Sequence, residues 1–573
     1  MQESAPALHT PLSRRTIARL VQLAGLFDVV TAVIPPRHGR LLALMEFVPA
    51  AGILSARTAT ALVGLLLVYI GSGLRRGKRR AWQVATVLSA LATVLHLAKG
   101  LDYDAAVVSA LLLVTLLATR DGFTAPADRG SRWRALTVFL GFTGAGFALG
   151  LAEIAVRMNR LVGHPGVADW VKEAALGLVG LDGPIRYQHP FGAEAVSLTT
   201  GASTLLAAGL ALIVLLQPGS RVPGRTPDED LRLRELLRRH GSADSLGYFA
   251  MRADKSLIWS PDGAAAVAYR VVRGVSLASG DPLGPQSAWP GAIGAWLRDA
   301  AAHGWTPAVL GCGRAGGTAY RRAGLDVIEL GDEAVVDATA FRLDGRPMRG
   351  VRQAVNRIGR AGYTCRVARQ RELTEEEMLE AARAVEAFRD GRVERGFAMA
   401  LSRFGEPGDG DCLLALCRDE DGHLRGLLQF VPWGDDGLSL DLMRADRTAA
   451  NGVTELMVVE VLRAAPGLGV RRVSLNFAVL RSVFARADEL GAGPVLRLGH
   501  RVLKRASKVW QIESLYRANA KYHPAWEPRY LCFPVARDLP RVAVAALTAE
   551  AFLPAPARRS RTRSPAVLSG GGR

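Results

Sequence analysis

The chain has 573 residues, 49% of them hydrophobic, and a formal net charge of +19 at pH 7. Its length favours more than one domain, and its basic balance favours partners that carry negative charge, such as nucleic acid or an anionic membrane. Five irregularly spaced cysteines without a CxxC pair argue against a disulfide framework and against a zinc site, so we expect neither metal nor cofactor.

Most of the apolar residues beyond those of an average soluble chain lie in the first 217 residues, which indicates a membrane region there. A helix needs roughly 20 residues, with a range of about 17–25, to cross a hydrocarbon core. We therefore predict an α-helical transmembrane region over residues 1–217, with about six spans. The candidate spans are Ile17–Ile34, Thr58–Leu74, Ala81–Ala98, Ala105–Thr119, Leu136–Val156 and Thr199–Leu216.

Basic residues between the apolar runs predict the orientation of this region. They cluster before the first run, between the second and third, between the fourth and fifth, and after the sixth. Because cytoplasmic loops carry an excess of Lys and Arg, these clusters are expected to face the cytoplasm. The protein is then a multi-pass cell-membrane protein with both termini, and everything after residue 217, on the cytoplasmic side.

Two features of the membrane region have simple structural interpretations. Gly144–Gly150 (GAGFALG) has the spacing of a dinucleotide-binding loop, but it lies within an apolar run and no strand precedes it. We predict that its small residues pack against a neighbouring helix. His96 lies near the end of the third run, and we expect its side chain to reach the membrane interface.

A segment rich in Pro, Gly and Arg, residues 218–230, predicts a linker. After it, strand-like and helix-like segments alternate in two similar sets, which predict two α/β modules in tandem. We place the first module at residues 231–350 and the second, catalytic one at 351–545. Residues 546–573 are rich in Pro, Arg, Ser and Gly and predict a disordered basic tail.

The elements of the two sets follow from apolar periodicity and turn residues. Strands are expected at Ala264–Val272 and Gly274–Ser279, and a hairpin is expected around the Asp421–Gly422 turn. Helices are expected at Trp289–Gly304, Leu373–Gly391 and Asn451–Ala465.

The sequence lacks the motifs of several large enzyme classes: no GxxxxGK[ST], GxSxG, HExxH or kinase set is present. Arg314–Ala319 (RAGGTA) fits the pyrophosphate loop of coenzyme-A acetyltransferases. It leaves a coenzyme-A-dependent acyltransferase open as an alternative function.

Ser439–Met457 is a stronger candidate for a site. Asp441 and Arg444 stand at the end of an apolar strand, from which a polar loop leads into a helix. In an open α/β sheet, ligands bind where strand ends feed helix N-termini. The structural alternative is a surface salt bridge between Asp441 and Arg444, which contributes about 0–1 kcal/mol.

Ser514–Pro534 interleaves basic residues with tyrosines and a tryptophan. Such a mixture suits phosphate contacts combined with base stacking, and therefore RNA or anionic lipid headgroups. A basic amphipathic helix lying against the membrane is the alternative.

Several short motifs follow one another along the second part of the chain. They are Ser245–Gly263, Gly280–Gly284, Gly331–Asp337, Glu394–Phe397, Asp441–Arg444, Asn451–Glu455 and, near the end, KYHPAWEPRYL. In order and spacing they resemble those of the phosphatidylglycerol lysyltransferase family, the synthase part of the bacterial multiple peptide resistance factors. The form SLYRANAKY is most similar to that of actinobacterial members.

The resemblance implies tandem acyltransferase folds of the GNAT type. It implies transfer of an aminoacyl group, expected to be lysyl, from aminoacyl-tRNA to the glycerol hydroxyl of phosphatidylglycerol. The cationic product lowers the negative charge of the membrane and favours resistance to cationic antimicrobial peptides. The implied partners are lysyl-tRNA, phosphatidylglycerol and the anionic membrane, while the oligomeric state, a homo-oligomer included, stays open.

The resemblance also assigns site residues. The positions matched at the amino-acid and acceptor site are Glu333, Asp441 and Arg444, which we expect to be catalytic. The two carboxylates are expected to hold ammonium groups, and Arg444 a phosphate or a developing oxyanion. Positions expected to bind substrate are Glu394, Asn451, Glu455, Lys521, Trp526 and Arg529, the last three through tRNA or lipid.

The sequence differs from the large family members in two ways, and both limit the activities that we expect. The membrane region is shorter than one that includes a lipid flippase, so lipid flipping is not predicted. The stretch after Phe533 is too short for a lysyl-tRNA synthetase, so we expect the charged tRNA to come from the cell. Besides the coenzyme-A reaction, a non-catalytic, membrane-anchored binding module stays open as an alternative.

Overall fold

A computed structural model of the chain describes residues 13–33, 50–75, 77–98, 102–123, 131–156, 158–163, 165–181, 183–188, 191–215, 224–389, 391, 396–479 and 517–553. These residues fall into two compact units. The first comprises Met1–Arg221 with Arg298–Trp305, and the second comprises Val222–Leu297 with Thr306–Arg573.

The first unit is helical, and a helix lies at each of the six apolar runs of the sequence. The long helices are α1 (Arg14–Val33), α2 (Ala50–Arg75), α3 (Arg79–Ala98), α4 (Tyr103–Ala118), α5 (Ser131–Val156) and α7 (Phe191–Leu215), with the short α6 (Val167–Gly177) before α7.

Apolar side chains cover the outside of these helices. Leu23 of α1, Val87 of α3, Leu111 of α4 and Leu140 of α5 are each more than half exposed. A bundle in water would bury such residues, whereas a bundle in lipid presents them to the acyl chains. The pattern therefore fits a membrane region.

By length and composition, fewer helices qualify as membrane spans than the six predicted from the sequence. Within the described residues, one helix, Arg132–Val156, is long and apolar enough to cross a membrane by these criteria. Ala59–Arg75, Tyr103–Ala118 and Thr199–Leu215 are apolar but shorter. Six spans therefore stay a prediction.

Small residues let pairs of these helices approach closely. A Cβ atom placed on Gly25 of α1 would lie 2.5 Å from the carbonyl oxygen of Gly64 on α2. A Cβ on Gly146 would lie 2.3 Å from the Cβ of Ser203 on α7, so a side chain there would separate the two helices. Gly146 belongs to the GAGFALG segment, for which the predicted packing role is confirmed.

His96 does not reach an interface, and the prediction that it does is wrong. Its imidazole Nε2 lies 2.8 Å from Asp28 Oδ1 of α1, and the two side chains are 0% and 1% exposed. The contact satisfies one polar atom of each partner inside a bundle with apolar outer faces, whereas His96 Nδ1 and Asp28 Oδ2 have no hydrogen-bond partner among the described residues. A single sequence does not reveal this pairing, because 68 residues separate the two positions.

The second unit combines helices with one large sheet. Its strands are β1 (Ser256–Trp259), β2 (Ala266–Val272), β3 (Val275–Ser279), β4 (Thr306–Cys312), β5 (Asp326–Asp337), β6 (Thr364–Arg369), β7 (Leu413–Arg418), β8 (Leu424–Trp433), β9 (Gly437–Ala445), β10 (Arg472–Val479) and β11 (Ala525–Phe533). Its helices are α8 (Pro227–His240), α9 (Trp289–Ala302, of which the part up to Leu297 is grouped with this unit), α10 (Arg314–Arg322), α11 (Arg349–Arg360), α12 (Glu375–Arg389), α13 (Val453–Ala464) and α14 (Leu539–Ala549).

These strands form an 11-stranded sheet in the order β1-β2-β3-β4-β11-β5-β10-β9-β8-β7-β6. Both outer parts are antiparallel meanders, and each ends in a parallel pair, β3 with β4 and β9 with β10. The two halves therefore repeat one pattern, in agreement with two α/β modules in tandem.

The centre of the sheet joins the halves by exchanging strands. β11, the last strand of the chain, pairs antiparallel with both β4 and β5, which belong to the first half. In return, β5 pairs antiparallel with β10 of the second half. Because each half receives its central partner from the other, the sheet is complete only when both are present.

Several sequence predictions are confirmed here. The strands expected at Ala264–Val272 and Gly274–Ser279 are β2 and β3, and the hairpin around Asp421–Gly422 joins β7 to β8. The linker is shorter than predicted, because α8 already begins at Pro227, where the Thr226 hydroxyl caps the Glu229 amide. Within Ser514–Pro534, β11 occupies the C-terminal part, so a single amphipathic helix over the whole segment is excluded, whereas residues 517–520 are helical and Ser514–Tyr516 lie outside the described residues.

The strand exchange predicts that the first half does not fold alone. A fragment of residues 224–350 lacks β10 and β11, so β5 loses both of its partners and β4 keeps only β3, which exposes long strand edges. We expect circular dichroism and limited proteolysis to show an unfolded or aggregated fragment, whereas 224–553 unfolds cooperatively.

Co-expression of 224–350 with 351–553 supplies the control, since it restores both exchanged strands and is expected to yield a soluble complex. A protease-resistant, monomeric 224–350 fragment would contradict the prediction.

Candidate active site

A guanidinium ion is buried in the middle of the sheet, at Arg529 of β11. Its side chain is 5% exposed, and that of Glu333 on β5 is 0% exposed. Arg529 Nε donates to Glu333 Oε2 at 2.9 Å, and Nη2 donates to the same oxygen. Nη1 donates to Asp244 Oδ1 at 2.6 Å. Burial opposes ionisation, but the two carboxylates outweigh it and raise the pKa of Arg529 above its ordinary value.

Two serines complete the hydrogen bonds of Glu333. The Ser245 hydroxyl donates to Oε1 at 2.5 Å, and Ser474 of β10 donates to the same oxygen. Both oxygens of the carboxylate therefore already accept hydrogen bonds from the protein. The cluster ties β5, β10 and β11 to the segment before β1.

The geometry does not support the predicted substrate contacts of Glu333 and Arg529. An ammonium group would have to displace Arg529 from Glu333, and a phosphate would have to displace both carboxylates from Arg529. Breaking a buried ion pair is unfavourable because the remaining charge has no partner. We infer that this pair stabilises the sheet.

The coenzyme-A alternative meets a similar obstacle. Arg314–Ala319 begins α10, but the protein's own Asp281 carboxylate occupies the N-terminus of this helix. It accepts hydrogen bonds from the Gly313 amide at 2.7 Å and the Gly316 amide at 3.2 Å. Burial and the neighbouring Asp244 raise the pKa of Asp281 to about 7. The amides that a pyrophosphate would need are therefore already used.

Asp441 lies at a β-bulge in β9. Gln429 of β8 opposes Leu442, whereas the next residue of β8 opposes Leu440, so Asp441 is the extra residue. Bulges re-aim a side chain and occur beside active sites. The half-buried carboxylate accepts from the Leu401 amide and from Gln429 Nε2, both at 2.7 Å. These bonds fix its orientation.

Arg444 and Asn451 continue the path from this bulge to α13. Arg444 is half-buried near the end of β9, and its Nη1 donates to the Met443 carbonyl at 3.0 Å. The loop after β9 ends at Gly452, whose φ of +117° favours glycine, and Asn451 is exposed just before it. The predicted residues Asp441, Arg444 and Asn451 thus lie along one strand–loop–helix connection.

Two of the other predicted residues meet at the start of α13. Lys521 Nζ donates to Glu455 Oε1 at 2.5 Å, in the first turn of the helix. Burial opposes ionisation of Glu455, but the bond from Lys521 outweighs it and lowers the pKa of the carboxyl. Trp526 lies on β11 and packs half-buried against the core below α13. Glu394 lies outside the described residues.

Sequence analysis missed the partners that hold these groups. Asp244, Ser245 and Ser474 bind the Glu333–Arg529 pair, and Gln429 binds Asp441. Short polar residues in apolar strands are their only local signal, because the partners come from distant parts of the chain.

A buried lysine was also missed. Lys255 Nζ donates to the Phe249 carbonyl at 3.0 Å and to Ser279 Oγ at 2.7 Å, and it lies 4.7 Å from the Phe397 ring centre. Burial, aided by nearby Arg252, lowers the pKa of Lys255 to about 7. We infer that it joins the segment before β1 and the end of β3 to the segment around Phe397 of the second half.

One side-chain group in the described part of the chain has the spacing of metal ligands. Asp419, Asp421 and His423, on the turn between β7 and β8, have ligand atoms within 4.8 Å of one another. Asp419 already accepts from Arg425 Nε at 2.6 Å and from the His423 amide at 2.9 Å. Hydrogen bonds of the turn therefore account for the cluster.

Comparison with known proteins shows which family the chain belongs to. The family described as "Phosphatidylglycerol lysyltransferase, C-terminal" matches residues 234–533, over half of the chain. The chain belongs to this family. A second family, "Transmembrane region of lysyl-tRNA synthetase", matches residues 12–215 and identifies the N-terminal unit as a membrane region.

Curated relatives in this family cover the membrane and sheet units together. "Lysylphosphatidylglycerol biosynthesis bifunctional protein LysX" of Rhodococcus opacus is 42% identical over 505 residues, and that of Nocardia farcinica is 44% identical over 505 residues. In both comparisons the match covers 86% of this chain but 44% of the relative. The chain thus spans less than half the length of these relatives.

A solved structure shows the same fold in the second unit. "The structure of L-PGS from Bacillus licheniformis" superposes with a TM-score of 0.50 at 22% identity, covering 58% of this chain and 99% of that chain. The GNAT-type acyltransferase fold expected from the sequence is confirmed for this part of the lysyltransferase-family chain.

Arg529 offers a direct test of the stabilising role of the buried pair. Arg529→Met leaves Glu333 and Asp244 as buried carboxylates without a cation, which we expect to lower the free energy of unfolding by about 3–5 kcal/mol. Urea unfolding of purified residues 224–553 measures this.

The matched control is Arg238→Met, which breaks an exposed ion pair with Glu235 on α8 and is expected to leave stability unchanged. Equal stabilities for Arg529→Met and the parent protein would argue against the role.

Proposed function

We propose that the chain transfers a lysyl group from lysyl-tRNA to the glycerol hydroxyl of phosphatidylglycerol. The observation that carries the proposal is the connection from the β9 bulge to α13. Asp441, Arg444 and Asn451, which match family positions, lie along it, at the kind of strand end where α/β sheets bind ligands. The relatives are named for lysylphosphatidylglycerol biosynthesis, which supports the same activity.

The reaction depends on correct placement of its two substrates and does not require a nucleophilic side chain of the protein. The ester between the tRNA ribose and the lysyl carbonyl breaks, an ester to the lipid hydroxyl forms, and the hydroxyl proton ends on the ribose oxygen. Because one activated ester replaces another of similar kind, no acyl-enzyme is required. Holding the two substrates together can supply several kcal/mol of the barrier, roughly 7–11 at best.

Asp441 and Arg444 have complementary roles in this proposal. The Asp441 carboxylate is held in place by Leu401 and Gln429, and it offers negative charge to an ammonium group of the lysyl residue. Arg444 offers positive charge to the oxyanion that forms when the hydroxyl attacks the ester, or to the lipid phosphate.

The membrane unit places this reaction beside its acceptor. We take α1 to α5 and α7 as six spans, with their basic flanks, both chain termini and the catalytic unit on the cytoplasmic side. Charged tRNA is found there, and the inner leaflet supplies phosphatidylglycerol. The membrane unit then serves as an anchor.

The test is transfer of label from [14C]lysyl-tRNA to lipid by membranes that contain the chain. We expect a labelled, cationic lipid, and we expect Asp441→Ala and Arg444→Ala to lower kcat/KM by at least about 10²-fold, as for loss of one transition-state contact. Thin-layer chromatography and scintillation counting of the lipid fraction measure both.

Asp441→Asn is the matched variant for the carboxylate, since it keeps the shape and an oxygen for the Leu401 amide while removing the charge. We expect it to be as inactive as Asp441→Ala but more stable. The absence of labelled lipid with every aminoacyl-tRNA tested would refute the proposed function, and near-normal turnover in both alanine variants would refute the two residue roles.

A further inference from the structure

The segment around α11 carries an unusual density of one charge. Between Gly345 and Arg371 the chain has eight arginines and neither Asp nor Glu. All 27 positions are described in the structure. The eight are Arg346, Arg349, Arg352, Arg357, Arg360, Arg366, Arg369 and Arg371.

α11 separates these charges cleanly from its apolar residues. Val351, Val355 and Ile358 are buried in the core that lies against α13. Arg349, Arg357 and Arg360 are exposed on the other side of the helix, and Arg346 is exposed just before its start. The outer surface of α11 is therefore made of guanidinium groups.

Four of these arginines have no carboxylate partner among the described residues. Arg346 and Arg349 make no ion pair there, Arg360 Nε contacts only the Asn356 carbonyl at 3.3 Å, and Arg357 Nη2 donates to the Asn451 carbonyl at 3.0 Å. By contrast, Arg366 and Arg371 pair with carboxylates. Guanidinium groups without an ion pair are well suited to phosphates, which they can bind through two parallel hydrogen bonds.

This surface adjoins the connection to which the proposed function assigns the reaction. Besides the bond from Arg357 to Asn451, the Ala450 amide donates to the Tyr363 hydroxyl at 3.3 Å. A Cβ on Gly452 would lie 3.3 Å from the Ala354 carbonyl, so α11 and the loop are in direct contact. A polyanion bound along α11 therefore has one end at the loop before α13.

The same features favour RNA over a lipid surface. A helix that binds a membrane inserts an apolar face between the headgroups. The apolar face of α11 is buried in the core, and residues 345–371 include no large hydrophobic side chain among the exposed ones. What α11 presents is charge alone, which matches a phosphate backbone.

We propose that Arg346, Arg349, Arg357 and Arg360 form the docking surface for the phosphate backbone of the tRNA, and that this surface directs the aminoacyl end to the loop before α13. The inference rests on the proposed function for the identity of the RNA. It adds the surface, the orientation and the residues.

The test compares two variants of the full chain in lipid nanodiscs with the same loss of charge. Arg346→Gln/Arg349→Gln/Arg360→Gln removes three docking guanidinium groups but keeps Arg357, which supports the loop. Arg314→Gln/Arg321→Gln/Arg322→Gln removes three exposed arginines from α10 instead. Fluorescence anisotropy with uncharged and lysyl-charged tRNA gives Kd at several salt concentrations, and the transfer assay gives KM for tRNA and for phosphatidylglycerol.

For the α11 variant we expect Kd and KM for tRNA to rise at least about tenfold. The slope of log K against log salt concentration should become shallower by about 2–3, as for the loss of three phosphate contacts. KM for phosphatidylglycerol and the unfolding midpoint should not change, and the α10 variant should bind tRNA nearly as the parent does.

Three results would overturn the inference. They are unchanged tRNA affinity in the α11 variant, an equal loss in the α10 variant, and a loss of phosphatidylglycerol-vesicle binding with tRNA affinity intact, which would make the surface a lipid contact. Failure of the proposed function alone looks different, because tRNA binding would still depend on α11 while no aminoacyl lipid forms.

Discussion

Arg529 places a permanent positive charge where the two halves of the sheet exchange strands, and much of the structure is arranged around it. A buried guanidinium ion is tolerated only with carboxylate partners and filled hydrogen-bond positions. Glu333 comes from β5, Asp244 and Ser245 come from the segment before β1, and Ser474 comes from β10. The charge is thus neutralised only in the one arrangement that brings all of these segments together.

The family motifs contain two kinds of residue, which differ in burial and in their hydrogen bonds. Glu333 and Arg529 lie in matched motifs, yet they bind each other and are closed to solvent. Asp441, Arg444 and Asn451 also lie in matched motifs, and they remain at least partly accessible along the path from the β9 bulge to α13. A motif alone does not separate these two settings. Burial and filled hydrogen-bond positions favour a stabilising role for Glu333 and Arg529, and accessibility fits the roles proposed for Asp441, Arg444 and Asn451.

Local patterns in the sequence were sufficient for most elements of the second unit. Alternation in LSLDLMR and helical spacing in the segment after Asn451 depend on neighbours a few residues apart, so a single sequence contains them. β11 was harder, because AWEPRYLCF carries charges that are typical of a surface. Its partner Glu333 lies 196 residues away, and no local pattern shows that the charge of Arg529 will be neutralised. Asp28 and His96 escaped prediction for the same reason, and so did the fixed orientation of Asp441, which depends on Leu401 and Gln429.

The central position of β11 also has a consequence for the order of events during synthesis. The ribosome makes β4 and β5 just past the midpoint of the chain and β11 near its end, so the place between β4 and β5 stays empty until Ala525–Phe533 has been made. Contacts between distant segments form slowly, and unpaired strand edges favour aggregation while they wait. If the N-terminal helices enter the membrane before β11 is made, the incomplete sheet is tethered to the membrane surface, where it is kept apart from other unfinished chains. With this order of insertion, the N-terminal helices would limit aggregation of the unfinished chain.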